Sequence, residues 1–349
     1  MSDPKGLDLA ALQTWLTATR PDLVTGPLTA SLIAGGKSNL TYTVSDGSSE
    51  YVVRRPPMGH VLATAHDMGR EHRVMAALAP TDVPVPEMLA HCDDTAVLGA
   101  PFYVMQKVSG TPYGRAAQLE PLGAVRTRLI TERLVDTLAT LHAVDPSAVG
   151  LADFGRPDGY LTRQVSRWKK QLDSSRSREL PGMDELVELL ERTIPDTGDG
   201  TIVHGDFRLD NVLVDATSDG DGDRITAVLD WEMSTLGDPL TDVALMLAYQ
   251  QLAEVAPPSG PAGKGAIVTD APLAPGYLSR DEVLARYAAA SGRDVSDIGF
   301  HLALSFFKLA VILEGIHFRH SQGQTVGAGF DGIGDMIAPL IAAGRAASR

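Results

Sequence analysis

The chain has 349 residues, of which 44% are hydrophobic, so it can build a sizeable core and wholesale disorder is not expected. Its formal net charge is −14, and no basic stripe of the kind that nucleic-acid binders use is evident, so DNA and RNA are not expected as partners. Cys92 is the only cysteine, which excludes an intrachain disulfide and a cysteine-rich zinc site.

The first third of the chain predicts a small antiparallel sheet. Closely spaced β-like runs separated by Gly- and Ser-containing turns are typical of a strand meander, and two amphipathic segments predict helices. A breaker cluster at 109–112 then marks a boundary. The predicted helices cover 7–19 and 64–79, and the predicted strands cover 28–34, 40–45, 50–55, 87–91 and 102–105.

The rest of the chain is predicted to be mainly helical. Its helical periodicity is interrupted by two short strands and by a Pro/Gly-rich loop at 254–278. The predicted helices cover 122–143, 158–172, 183–193, 238–253, 279–291 and 298–319, and the two strands cover 211–214 and 224–229.

The most apolar stretch, 300–318, contains His301, Lys308, Glu314 and His317. A membrane span needs about 20 apolar residues with few charges, so this stretch predicts a buried helix of a large domain and no membrane partner. The N-terminus has no apolar signal region, and we therefore expect a cytoplasmic location.

Three aspartates between the two short strands, Asp219, Asp221 and Asp223, have a spacing that resembles part of a calcium loop. An EF-hand loop places Gly at its sixth position and lies between helices, whereas this chain has Arg224 there and strand-like flanks. An exposed hairpin turn is the favoured interpretation.

The segment 204–211, His-Gly-Asp-Phe-Arg-Leu-Asp-Asn, carries the residue types that phosphoryl transfer to a hydroxyl requires. Asp206 can orient and deprotonate the hydroxyl, while Asn211 and, after the next hairpin, Asp230 offer hard oxygen ligands suited to Mg²⁺. The Asp-x-x-x-x-Asn spacing is that of protein-kinase catalytic loops. Arg208, in the same motif, is the second catalytic candidate.

These residues carry a resemblance. HGDFRLDN followed by LDWEMSTLGDPLTDVA resembles the aminoglycoside-phosphotransferase and choline-kinase superfamily, and more narrowly the branch associated with acyl-CoA dehydrogenases. The likeness covers most of residues 28–320. Further motifs of that branch are Gly35-Gly36-x-Ser38-Asn39-x-Thr41-Tyr42, Val53-Arg54-Arg55-Pro56-Pro57, Arg70-Glu71-x-x-Val74-Met75, Arg163-Gln164 and Trp168.

The resemblance implies an α+β, two-lobed protein-kinase-like fold with ATP and Mg²⁺ as cofactors. Its N-lobe, 1–105, would be an antiparallel sheet with one main helix. A hinge, 106–110, would join it to a mainly helical C-lobe, 111–349, which would carry the catalytic and metal-binding motifs.

Roles in nucleotide binding follow from the same resemblance. The Gly-rich turn would lie over the ATP phosphates, the hinge would meet adenine through its backbone, and a glutamate would pair with the cation of the small lobe. The residues so implied are Gly35, Gly36, Ser38 and Asn39 in the turn, Gln106 and Val108 in the hinge, and Glu71 as the glutamate. Strand alternation favours Arg54 over Arg55 as the cation, in the place where kinases have Lys.

Three hypotheses about function remain open on these grounds. The first is a metabolite kinase acting on a small-molecule hydroxyl, with a hydroxyacyl-CoA-type compound as the candidate and a functional link to acyl-CoA dehydrogenases. The second is an antibiotic phosphotransferase of the aminoglycoside type. The third is a nucleotide-binding pseudokinase without activity, which the replacement of Lys by Arg54 keeps open and the intact Asp206, Asn211 and Asp230 disfavour.

Overall fold

The computed structural model describes residues 3–33, 39–58, 67–196, 198, 200–216, 223–256, 268–325, 330 and 332–347. The chain divides into two compact units. The first comprises Met1–Gly110 and Thr226–Ser234, and the second comprises Thr111–Ile225 and Thr235–Arg349. The return of 226–234 to the first unit was not predicted, and the roles assigned to the lobes and hinge stay predictions.

The first unit contains the predicted five-stranded antiparallel sheet, with strand order β1-β2-β3-β5-β4. Tyr42 and Val44 alternate with less buried neighbours on β2, as expected for a strand with one face against a core. The strands are β1 (Thr29–Leu32), β2 (Leu40–Ser45), β3 (Glu50–Arg55), β4 (Met88–Cys92) and β5 (Phe102–Gln106).

Two longer helices and one short helix accompany this sheet: α1 (Leu9–Thr19), α2 (Met68–Leu78) and α3 (Thr95–Leu98). Aspartates cap all three, and Asp67 accepts a hydrogen bond from the backbone N–H of Arg70 at the start of α2. Leu12 and Leu16 of α1 belong to the same core as Tyr42 and Val44.

The second unit is mainly helical, as predicted. Its helices are α4 (Ala116–Leu119), α5 (Gly123–Ala143), α6 (Tyr160–Ser175), α7 (Met183–Arg192), α8 (Leu240–Val255), α9 (Arg280–Ser291), α10 (Gly299–Ser321) and α11 (Ile337–Ala347). Its strands are β6 (Thr201–Val203), β7 (Val212–Asp215) and β9 (Thr235–Gly237), while β8 (Arg224–Val228) leads back into the first unit. β6 and β9 form an antiparallel pair.

Helix α10 is long and apolar enough to cross a membrane by length and composition, but 72% of its apolar window is buried inside the protein. Phe306, Phe307 and Val311 pack in the core of the second unit together with residues of α6, α7 and α11. This burial agrees with the prediction of a core helix.

Sequence analysis missed several elements. β6 and β9 have three residues each, too few to show a period. Helix α11 does have buried residues at helical spacing, Leu340, Ile341 and Gly344, but it was not predicted. Only Asp223 of the three aspartates of the calcium interpretation is described, and it forms an ion pair with Arg126.

Candidate active site

The catalytic-loop segment 204–211 lies between β6 and β7 in the second unit, and Asp242 of α8 binds the backbone at its start. The two carboxylate oxygens of Asp242 accept hydrogen bonds from the backbone N–H groups of His204 and Gly205, each at 2.7 Å. His142 of α5 lies 3.2 Å from the same carboxylate, and its other ring nitrogen meets Tyr287 at 2.8 Å. This buried network fixes the start of the loop from two helices.

Asp206 and Asn211 are brought together by the turn of this loop. The side-chain N–H₂ of Asn211 donates to the backbone carbonyl of Asp206 at 2.8 Å and to its carboxylate Oδ2 at 3.0 Å. The ring Nδ1 of His204 accepts the backbone N–H of Asp206 at 3.2 Å. The three residues therefore hold one another in a fixed geometry, and His204 acts in it through its contact with the loop backbone.

Two cations lie near Asp206. Nε of Arg208 lies 3.5 Å from Oδ2, and Lys308 of α10 donates to the carbonyl of Gly205 at 3.0 Å. Burial alone would raise the pKa of Asp206, but the positive charges of Arg208 and Lys308 outweigh it, so the pKa is lowered. Asp206 is consequently ionised at neutral pH, as a proton acceptor must be.

Arg208 is itself held in place by its neighbours. Its guanidinium lies over the ring of Tyr249 at 4.6 Å and pairs with Asp210 at 3.1 Å. The Oδ1 atom of Asp206 is buried without a geometrically sound hydrogen bond among the described residues, although Tyr249 is close enough to lower the pKa of the carboxyl further. A buried acceptor of this kind suits a hydroxyl donor brought by a substrate.

Lys308 is the residue that sequence reasoning missed. It lies about 100 positions after the loop, and the only sequence signal was a lysine in an apolar helix. Its Nζ lies 5.7 Å from the centre of the Trp168 ring, and burial lowers its pKa against the opposing effects of Asp206 and Asp242. A cation in so apolar a helix needs the partners found here.

In the first unit, Arg54 forms the centre of an ion-pair network. Nε of Arg54 lies 3.3 Å from Glu71 of α2, and its Nη2 lies 2.5 Å from Asp230. Arg55, the next residue, points away and donates to the backbone carbonyls of Gly6 and Leu98. The strand thus places Arg54, and not Arg55, against Glu71.

Glu71 is almost fully enclosed by its partners. It accepts hydrogen bonds from the hydroxyl of Tyr103 at 2.9 Å and from the amide of Asn39 at 3.2 Å. Tyr103 lies directly opposite Arg54 in the pairing of β3 with β5. Burial raises the pKa of Glu71 to about 7, despite the opposing effects of Arg54 and of the Tyr103 hydrogen bond.

Asp230 has a left-handed backbone, with φ of 65° and ψ of 55°, which non-glycine residues rarely adopt. The following turn is anchored by Trp231, which is fully buried and donates to the carbonyl of Val228 at 3.0 Å. Arg70 of α2 donates to the carbonyl of Ser234 at 3.1 Å. These contacts fix the turn while the Asp230 side chain meets Arg54. A rare backbone conformation of this kind is typical of functional positions.

The remaining predicted nucleotide-binding residues are only partly described. Gly35, Gly36 and Ser38 lie outside the described residues, and the Asn39 side chain is engaged with Glu71. Gln106 ends β5 and is exposed, and Val108 follows in an irregular segment. Their contacts with a nucleotide stay predictions.

The donor atoms of the two predicted metal ligands suit Mg²⁺. The hydrogen bonds of Asn211 use its nitrogen, so its carboxamide oxygen faces away from Asp206 and is available as a ligand. Asp230 contributes a carboxylate that is 30% exposed, and Arg54 contacts only its Oδ1. Hard oxygen donors of this type fit Mg²⁺, which usually takes one or two protein ligands and completes its shell with phosphates and water.

The chain is similar to known phosphotransferases over nearly its whole length. It is 33% identical to a protein of Ralstonia eutropha JMP134, provisionally named an aminoglycoside phosphotransferase. The superposition on the crystal structure of that protein covers 98% of each chain, with a TM-score of 0.80. A thermostable mutant of an aminoglycoside phosphotransferase, solved with ADP and hygromycin B, is 14% identical and shares the fold, with a TM-score of 0.59 over 97% of this chain and 98% of the other. The two-lobed kinase-like fold is thereby confirmed.

A curated relative, acyl-CoA dehydrogenase family member 11 of Gallus gallus, is 36% identical over 324 residues, or 92% of this chain. The chain spans only 40% of the length of that relative. The sequence profile of the phosphotransferase enzyme family matches residues 29–290, and with the geometry of the catalytic loop this shows that the chain belongs to that family of phosphotransferase enzymes.

Proposed function

We propose that this phosphotransferase is an Mg-ATP-dependent kinase that transfers the γ-phosphoryl group to a hydroxyl of a small molecule. The observation that carries the proposal is the pair of hydrogen bonds from Asn211 to the carbonyl and the carboxylate of Asp206. This pair fixes a carboxylate and an amide oxygen in one loop, with the spacing that phosphoryl transfer uses.

Each residue has a separate task in this proposal. Asp206 accepts the proton of the acceptor hydroxyl, and its lowered pKa keeps it ready to do so. Asn211 and Asp230 hold Mg²⁺, which would supply charge neutralisation at the phosphate oxygens. Arg54, positioned by Glu71, contacts the nucleotide phosphates.

The use of Arg54 in place of Lys does not by itself argue for an inactive protein. A guanidinium can bind a carboxylate and a phosphate at the same time, because its donors point in several fixed directions. Arg54 already engages Glu71 and Asp230 in this way. The complex of the aminoglycoside phosphotransferase mutant with ADP and hygromycin B supports an adenine nucleotide as the donor.

For the acceptor, we propose a neutral or anionic hydroxyl compound, with a hydroxyacyl-CoA as the leading candidate. Arg208 and Lys308 both lie beside Asp206, and they would repel a polycation such as an aminoglycoside. The relative named as an acyl-CoA dehydrogenase family member supports the acyl-CoA choice and a functional link to such dehydrogenases. A cytoplasmic location remains part of the same proposal.

An ADP-release assay with a panel of acceptors tests the choice. We expect saturable, Mg²⁺-dependent turnover with hydroxyacyl-CoAs and none with kanamycin or choline. Turnover of kanamycin alone would replace the proposed acceptor with the aminoglycoside alternative. Absence of turnover with every acceptor, together with tight ATP binding, would favour a pseudokinase.

A further inference from the structure

Helix α6 has an unusual charge pattern for this acidic protein. From Tyr160 to Ser175 it contains four basic side chains and one acidic side chain, Asp173, in a chain whose net charge is −14. Arg163, Arg167 and Lys170 recur at intervals of four and three residues, so they lie on one face of the helix, and all three are exposed. They are not adjacent in the sequence, and the helix brings them together on one face.

The charges of this α6 stripe, defined as Arg163, Arg167 and Lys170, are not neutralised. Arg163 donates only to backbone carbonyls, those of Arg156 and Asp158. Arg167 and Lys170 have no acidic partner within hydrogen-bond distance among the described residues. Lys169, on another face of the same helix, does pair with Glu191 at 2.6 Å. One face of the helix is therefore cationic without an acidic partner among the described residues, whereas another face carries an ordinary surface ion pair.

The α6 stripe borders a concave surface of about 560 Å³, which Gln164, Ser166 and Gln171 also line. From there, two neighbouring side chains lead to the catalytic loop. Gln164 and Trp168 line a small cavity of about 40 Å³ together with Gly205 and Lys308. The centre of the Trp168 ring lies 5.9 Å from the guanidinium carbon of Arg167 and 5.7 Å from Nζ of Lys308. The stripe is therefore near Asp206 but separated from it by a layer of side chains.

This separation restricts the ligand. The phosphates of the ATP donor must be at the point of transfer, so they cannot also occupy a stripe that lies behind Trp168. Seven residues of helix extend about 10 Å, which allows the three cations to contact several phosphate groups of one molecule. A ligand that matches both features has its reacting hydroxyl at one end and several phosphates at the other.

We propose that the α6 stripe binds the phosphate-bearing adenosine end of coenzyme A in the acceptor, while the acyl end carries its hydroxyl to Asp206. This inference rests on the proposed function, since it names the part of the acceptor that the same site selects. Three unpaired cations suit the diphosphate and 3′-phosphate of coenzyme A, and guanidinium groups bind phosphate with paired hydrogen bonds. Three charges over two helical turns are too few for the extended face that a nucleic acid requires.

The test is calorimetric titration of the intact protein with coenzyme A, and with pantetheine as a probe that lacks the phosphates. We expect coenzyme A to bind and pantetheine not to bind measurably. The double variant Arg167→Ala/Lys170→Ala should weaken coenzyme A binding at least about tenfold, because two charge contacts are lost. The matched control Lys169→Ala removes a cation from the same helix and should change the affinity less than about twofold.

Three results would overturn the proposal: no binding of coenzyme A by the unchanged protein, unchanged binding in the double variant, or an equal loss in Lys169→Ala. If the double variant does not fold, Lys170→Glu at an exposed position provides the same test. Failure of the proposed function would look different. The protein would then release no ADP with any hydroxyacyl-CoA, even though coenzyme A binds and the double variant weakens that binding.

Discussion

Asp206 is surrounded by charges of both signs, and their balance determines whether it can accept a proton. Its burial opposes ionisation, while Arg208 and Lys308 favour it. The two cations differ in kind. Arg208 belongs to the recognised motif, whereas Lys308 comes from α10 and reaches the loop through the carbonyl of Gly205. Lys308 is thus a positioning residue whose effect should be visible in a pH profile.

Lys308→Met should shift the acidic limb of the kcat/KM profile to higher pH. Removing the cation raises the pKa of Asp206, so its base form is lost at a higher pH than in the unchanged protein. Lys308→Arg should restore the original limb, because it keeps the charge. A lower rate with an unshifted profile in Lys308→Met would reduce Lys308 to a packing role.

Glu71→Gln should change how stability depends on pH. The pKa of Glu71 is raised in the folded state to about 7, from an ordinary value of 4.5. The carboxyl therefore contributes fully to the unfolding free energy below about pH 4.5, and this contribution is lost as the pH rises through 7. Gln does not ionise and avoids this loss. The unfolding free energy of the variant, relative to that of the unchanged protein, should rise by on the order of 3 kcal/mol between pH 4.5 and pH 8.

Urea unfolding at several pH values measures the effect of Glu71→Gln. Parallel stability curves for the two proteins would show that Arg54, Tyr103 and Asn39 keep Glu71 ionised throughout. A matched control is Glu50→Gln, which changes an exposed carboxylate on β3 that pairs only with the exposed Lys107. Because this pair is exposed, its loss should change the unfolding free energy by less than about 1 kcal/mol.

At the scale of elements, Asp242 joins α8 to the catalytic loop and to α5. Burial would raise the pKa of Asp242, but the hydrogen bond and charge of His142, with help from His204, lower it. Stability from such a group is present above the pKa of an unfolded aspartate and is lost as the pH falls below it. Asp242 therefore contributes most at neutral pH.

Asp242→Ala should cost about 3–5 kcal/mol of unfolding free energy at pH 7, because two buried backbone N–H groups and His142 lose their acceptor. The cost should shrink towards pH 3, because the aspartate of the unfolded chain takes up a proton there more readily than the folded one does. Chemical denaturation at both pH values is the measurement. A cost below about 1 kcal/mol at pH 7 would mean that water replaces the carboxylate, as it does at exposed sites.

The elements that carry clear periodicity were predictable. The five-stranded sheet, α2, α5 and α10 were all found from alternation or helical spacing, with ends shifted by a few residues, as expected when capping decides the boundary. The motif at 204–211 was equally readable, because its residues are neighbours in the chain.

What sequence could not provide are contacts between distant residues. Lys308 meets the catalytic loop only because α10 packs beside it, and Asp230 meets Arg54 only because 226–234 returns to the first unit. The proposed α6 stripe is different, because its three cations have a regular helical spacing. What the sequence does not show is that they have no acidic partner among the described residues.

At the scale of the whole molecule, the proposed cofactors should stabilise the protein together. Mg-ATP at about 100 times its Kd should add about 2.7 kcal/mol to the unfolding free energy and raise Tm, and EDTA should remove most of this gain. Asp230→Ala should lose the Mg²⁺-dependent part, because its carboxylate holds the metal in the proposal. Asp82→Ala, an exposed aspartate of the same unit, serves as the control. An equal shift with and without Mg²⁺ in the unchanged protein would contradict the metal assignment.

The single-turnover rate of phosphoryl transfer by Asp206→Asn, measured beside its Kd for Mg-ATP, tests the proposed chemistry most directly. The variant removes the proposed proton acceptor but keeps the shape of the side chain. We expect transfer to fall by about 10²–10⁴, the usual contribution of a general base. The Kd should stay within about threefold, since Asp206 faces the acceptor in this proposal. Asp210→Asn, which changes the other carboxylate of the loop, should keep most of the rate. Retention of more than about a third of the rate by Asp206→Asn, far above that range, would show that another group accepts the proton.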